Sequence, residues 1–123
     1  MSKRPQFFTY ILTNADRTVL YIGMTNNLAV RLIGHWIGRE AFSSKYKTHY
    51  LVWYESTRYV LNAIDREKEL KKLLRSVKET LITEFNPEWK FLNQEIVGVW
   101  PPTKAMMDEV RELYRQDPDS GWR

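Results

Sequence analysis

The sequence predicts an α+β fold, a small sheet of at least three strands with helices packed against it. Two patterns lead to this class: three short runs rich in aromatic and branched residues, and longer stretches in which apolar residues recur at helical spacing. The size agrees, because 123 residues with 43% hydrophobic content, including five Trp, seven Tyr and five Phe, suffice to bury one core.

The elements follow in order. Phe7-Phe8-Thr9-Tyr10-Ile11-Leu12 and Thr18-Val19-Leu20-Tyr21-Ile22-Gly23 read as strands, and Thr13-Asn14-Ala15-Asp16-Arg17 between them supplies turn formers, so the pair is a β-hairpin. Thr25-Asn26-Asn27 then offers cap oxygens to a helix beginning near Leu28, with Leu28, Leu32 and Trp36 on one face, ending about Gly38. Glu40–Lys47 lacks periodicity and reads as a loop, and His49–Glu55 reads as a third strand. From Tyr59 to Phe85 the pattern is helical, as two helices meeting near Arg75–Val77. Asn86-Pro87 ends it, because a residue before proline is pushed out of the α region. Trp89, Phe91 and Leu92 are expected to cover the core edge. After Pro101-Pro102-Thr103 a last helix spans Lys104–Arg115 with Met106, Val110 and Leu113 as its apolar face, and Asp117–Arg123 reads as a loose tail. The expected division is a domain over residues 1–98 and a C-terminal extension over 99–123.

Composition narrows the chemistry. The chain contains no cysteine, which excludes disulfides, thiolate-held zinc and a thiol nucleophile, and suits a reducing cytoplasm. No apolar run approaches the roughly 20 residues of a membrane helix, and no secretory leader precedes Phe7, so a soluble, unexported protein is expected. The net charge of +4 is uneven: residues 1–50 carry seven Lys/Arg against two Asp/Glu, whereas residues 51–102 carry eight of each. A polyanion such as nucleic acid is the natural partner of that basic first part.

One carboxylate stands out. At about 100° per residue, Val60, Ala63, Ile64, Leu70 and Leu74 all fall within about 60° of Glu67, while Asp65 and Glu69 fall on the opposite side. An ionised group facing a core calls for compensation. An internal ion pair supplies one, and a hydrated divalent cation at the mouth of a cleft supplies another, since Mg²⁺ keeps most of its waters and accepts phosphate oxygens. Arg31 and His35 lie four apart, on one face of the first helix. Tyr10 and Tyr21 come from the two hairpin strands and share a sheet face if Asn14–Arg17 forms the loop. Two phenols, a guanidinium, an imidazole and an inward carboxylate suit phosphodiester cleavage: the arginine fork binds phosphate oxygens, a cation neutralises developing charge, and a phenol or imidazole handles a proton. Phosphate-binding glycine loops, HExxH and two-metal clusters are all missing from the sequence.

In these residues the chain resembles the GIY-YIG nuclease family, above all its small single-domain bacterial members related to the nuclease domain of the excision-repair incision subunit. Tyr10 stands at the tyrosine of the first half-signature, and Tyr21-Ile22-Gly23 forms the second. Arg31 and His35 follow at the usual separations, and Glu67-Lys68-Glu69-Leu70-Lys71 matches the E-x-x-L-K pattern. The likeness runs through Asn86-Pro87-x-Trp89 to Asn93, which would be a supporting residue. The departure is Phe8-Thr9-Tyr10 in place of Gly-Ile-Tyr.

The resemblance implies a three-stranded antiparallel sheet flanked by helices and metal-dependent hydrolysis of DNA phosphodiesters. Glu67 would hold Mg²⁺ or Mn²⁺, Arg31 would stabilise the phosphate, and Tyr10, Tyr21 and His35 would share water positioning and proton transfer. The resulting expectation is a structure-directed or weakly sequence-selective endonuclease in DNA repair or recombination, with Arg17, Arg39, Lys45 and Lys47 as phosphate contacts. RNA stays open as a substrate, and so does a homodimer or a recruiting partner. The competing readings are a nucleic-acid-binding module without catalysis and a purely structural polar network.

Overall fold

A computed structural model describes residues 5–120. Strands β1 (Phe7–Thr13), β2 (Leu20–Thr25) and β3 (Tyr50–Thr57) form one antiparallel sheet in the order β2-β1-β3. The hairpin loop is closed by Asn14, whose side-chain oxygen accepts from Thr18 N at 2.8 Å and Val19 N at 3.0 Å. This fixes the register that sets Tyr10 opposite Gly23 and Leu12 opposite Tyr21. On the other side of β1, the partners of Ile11 and Leu12 jump from Trp53 to Leu51, so Val52 is an extra residue in β3. This bulge lets Val52 and Trp53 both join Ile11 on one face, while Leu51 and Tyr54 lie with Tyr10 and Leu12 on the other. Asn86 steadies it by donating to Val52 O at 3.1 Å.

Each face carries its own core. Against Tyr10, Leu12 and Leu51 pack Leu28 and Leu32 of α1 (Leu28–Trp36) together with Ile96 and Val97 of α5 (Asn93–Val97). The opposite face receives Leu70 of α3 (Val60–Lys72) and Ile82 of α4 (Arg75–Phe85), edged by Trp89 and Phe91. A third cluster joins Ile33 of α1 to Val110 and Tyr114 of α6 (Lys104–Gln116), so α6 lies on the side of α1 away from the sheet. Among the described residues, no helix is long and apolar enough to cross a membrane.

Three expectations need correction. The stretch read as a loop over Glu40–Lys47 contains α2 (Ala41–Tyr46), a helix of six residues. It is too short to show a periodicity and is held by tertiary bonds through its buried Ser43. The break between α3 and α4 falls at Leu73 and Leu74, both extended, so Leu74 caps α4 and is exposed instead of extending the apolar arc of α3. On α6 the two buried positions are Val110 and, four residues on, Tyr114, with Met106 partly buried, and Leu113 faces outward. The segment after Leu92 also forms a helix, α5, whose five residues are too few to show a helical period in the sequence. Of the tail expected over Asp117–Arg123, residues 121–123 lie outside the described residues, as do residues 1–4.

Candidate active site

The site begins with a glycine. A Cβ at Gly23 would stand 2.5 Å from the Tyr10 hydroxyl oxygen and 2.6 Å from Cζ, so only glycine lets the Tyr10 ring lie across β2. Tyr21, two residues earlier on the same sheet face, sits beside it with ring centroids 6.4 Å apart. α1 is aimed at this pair by its cap: Asn27 accepts from Val30 N at 3.2 Å, while Thr25 accepts from Asn27 N at 3.0 Å and ties the cap to the end of β2. One turn apart on that helix, Arg31 and His35 then reach the sheet.

Arg31 Nε donates to the Tyr10 hydroxyl at 3.2 Å, and that hydroxyl lies 2.8 Å from His35 Nε2. His35 Nδ1 is 2.7 Å from Ser43 Oγ, which accepts from Thr48 Oγ1 at 3.0 Å. A consistent assignment directs the Tyr10 proton to Nε2 and leaves the imidazole proton on Nδ1 toward Ser43. Burial, reinforced by the Arg31 charge, lowers the His35 pKa to about 3, so the ring is neutral near neutral pH. Burial likewise pushes the Tyr10 phenol far above its ordinary value, and Tyr21 is raised by burial and then by the Glu40 carboxylate. For Arg31 burial opposes the charge, but Tyr10 and Glu40 outweigh it and hold the guanidinium permanently cationic.

Tyr21 is the hub. Its ring stands 5.0 Å from that of His35. Its phenol feels the paired Glu40 carboxylate and Arg31 guanidinium and, least of these, the Glu67 carboxylate. Glu67 is buried between Ala63 and Leu70 of α3, as its place on the helix demanded, with Lys71 Nζ 3.6 Å from Oε2. The expected Tyr10, Tyr21, Arg31 and His35 therefore touch one another, and Glu67 approaches through Tyr21.

The four expected phosphate contacts are dispersed. Arg17 caps the Phe91 ring at 4.2 Å and donates to Trp89 O, on the face served by α4. Arg39 lies over Tyr114 at 4.3 Å and donates to Pro118 O. Lys45 and Lys47 are exposed at the end of α2. Asn93 is an internal clamp: its side chain accepts from Leu51 N and donates to His49 O, both at 2.8 Å.

Three participants escaped the sequence reading. Glu40 accepts from Arg31 Nη2 at 2.5 Å. Its signal was present, since Asp16 and Glu40 are the two acids of the basic first fifty residues. Ser43, which completes the histidine relay, and Tyr114, whose buried hydroxyl adjoins Arg31, carry no local pattern that would announce them.

Among the described residues no group of three or more His, Cys, Asp or Glu is placed to enclose a metal. The donor set fits a hard cation that keeps its waters and borrows oxygens from a phosphate, with Glu67 as the one inward carboxylate. Searches among curated proteins and among solved structures gave no match. The family comparison did: residues 6–80 match the GIY-YIG catalytic domain. That span includes the hairpin, α1 and the Glu67 turn of α3, the elements that bring the five side chains together, and the chain therefore belongs to the GIY-YIG nuclease family.

Proposed function

We propose that the protein is a divalent-metal-dependent DNA endonuclease of structure-directed or weakly sequence-selective type, acting in repair or recombination. The observation that carries this reading is the bonded trio Arg31–Tyr10–His35 lying against Tyr21, whose phenol is influenced by Glu67. Glu67 would hold Mg²⁺ or Mn²⁺, and such an ion supplies charge neutralisation and a more acidic water.

Arg31 is the phosphate clamp. Its guanidinium is almost wholly buried and paired with the partly exposed Glu40, so an incoming phosphate takes the place of one anion with another. Tyr10 and His35 act behind it. With a pKa of about 3 the imidazole is a poor proton acceptor at neutral pH, so its work is to fix the phenol that aligns Arg31. Tyr21, less buried than Tyr10 and within the electrostatic influence of both carboxylates, is the group that orients the attacking water. Its phenol is protonated in the resting protein and positions the water by hydrogen bonding, and a bound divalent cation would supply a more acidic water.

The test is nicking of supercoiled and branched DNA with Mg²⁺, Mn²⁺ or EDTA. Glu67→Gln, Arg31→Ala and Tyr21→Phe should each lower the cleavage rate by about 100-fold or more while the folded spectrum persists. Binding of DNA without metal-stimulated cleavage by the wild-type protein would instead favour a recruitment module. Unfolding of all three variants would favour a structural network. Affinity should fall steeply with salt, as phosphate contacts require.

A further inference from the structure

The ring contacts of the site do not stop at Tyr21. Phe42 of α2 packs on Tyr21 with centroids 5.6 Å apart, and Tyr46, one helical turn on, packs on Phe42 at 4.6 Å. The series begins at Tyr10, which is fully buried, and ends on rings that are 42% and 41% exposed. Two large aromatic rings half in water, on a six-residue helix whose buried anchor is a serine, contribute little to the core. Lys45 Nζ lies over the Tyr46 ring, 5.2 Å from its centroid, and exposed Lys47 follows.

We infer that Phe42 and Tyr46 form a stacking platform for an unpaired nucleobase of the DNA strand whose phosphate lies at Arg31, with Lys45 and Lys47 beside the adjoining backbone. The occupant follows from shape and charge. An exposed ring face is sequence-tolerant toward bases because every base has a π-face, and flanking lysines favour a polyanion. Inside a duplex both faces of each base are covered by neighbours, so a protein ring can stack only on a splayed base, a single-stranded arm or an end. Continuity of the rings with Tyr21 puts that base next to the cleavage point, and the platform thus selects DNA with unpaired nucleotides there. This deepens the nuclease reading and rests on it for the position of the phosphate, while the platform itself is tested without cleavage.

In EDTA, the full chain is titrated at fixed salt with a forked DNA carrying 2-aminopurine in its unpaired arm and with a blunt duplex of equal length. The wild type should prefer the fork and quench the reporter. Tyr46→Ala, which leaves the Tyr21–Phe42 contact untouched, should lower the fork-to-duplex affinity ratio by about tenfold and restore the fluorescence. Tyr46→Phe and Phe42→Trp, which keep the rings, should retain both signals. An unchanged ratio and quench in Tyr46→Ala, or equal weakening on fork and duplex, overturns the platform. The nuclease reading fails separately, through absence of metal-stimulated cleavage that Glu67→Gln abolishes.

Discussion

Gly23 is the residue on which the arrangement of the site turns. Tyr10 is fully buried, so its ring cannot retreat from a methyl group placed 2.5 Å from its oxygen, and Gly23→Ala must displace either the ring or β2. Overpacking of this kind costs about 1–3 kcal/mol, and the displaced phenol no longer aligns Arg31. Thermal melts should show the first effect and nicking assays the second, as a loss of about 100-fold. His35 makes a separate statement. Its folded pKa of about 3 lies below the unfolded value of 6.5, so between these pH values the unfolded chain binds more protons. Stability is therefore full above pH 6.5 and declines as pH falls toward 3, at up to about 1.4 kcal/mol per pH unit from this ring. His49, lowered mainly by its own burial, adds in the same direction. Melting temperature measured from pH 7 to 4 should fall more steeply in the wild type than in His35→Gln. Parallel curves would show that the ring is not buried neutral.

At the scale of elements, α2 brings in both Glu40 and Ser43, and its charge and its anchor pull the site in different directions. Glu40 satisfies Arg31 in the free protein but competes with any phosphate for the same nitrogen. Glu40→Gln should thus tighten DNA binding several-fold in metal-free buffer while lowering the melting temperature, because the buried guanidinium loses its counter-charge. Fluorescence anisotropy and a melt of the same sample check both signs. This element also marks where sequence legibility ends. The hairpin, α1 and α3 could be read because each repeats a pattern: strand runs broken by Asn14, an Asn27 cap ahead of Leu28 and Leu32, and a carboxylate lying off its expected face at Glu67. Six residues give α2 too few turns for a period, and what holds it is contact between Ser43 and His35, eight positions away and invisible to local spacing. The β3 bulge at Val52 was hidden for a related reason. It shows only in the pairing with β1 and in the Asn86 side chain that caps it from 34 positions away.

Over the whole molecule, the GIY-YIG match ends at residue 80, yet the packing continues well past it. α6 covers the outer side of α1 with Val110 and Tyr114, and Gly34 allows the approach, since a Cβ there would meet the Tyr114 hydroxyl at 2.7 Å. That hydroxyl is buried and close enough to Arg31 to raise its pKa without being aligned into a full hydrogen bond. The helix therefore acts on the site in two ways that separate experimentally. Ending the chain at Gly98 exposes Val30, Ile33 and Ile37 along α1, and losing buried side chains the size of Val and Tyr costs about 2–5 kcal/mol, enough to lower the melting temperature by ten degrees or more for a domain of this size. Tyr114→Phe keeps the ring in the Gly34 notch and removes the oxygen alone. It should leave the melt within a few degrees while weakening DNA binding through Arg31 severalfold, an effect that Arg31→Ala erases because the two residues then act on the same contact. If the double variant Tyr114→Phe, Arg31→Ala loses the sum of the two single effects, the hydroxyl does not act through Arg31, and α6 serves the site only as a brace for α1.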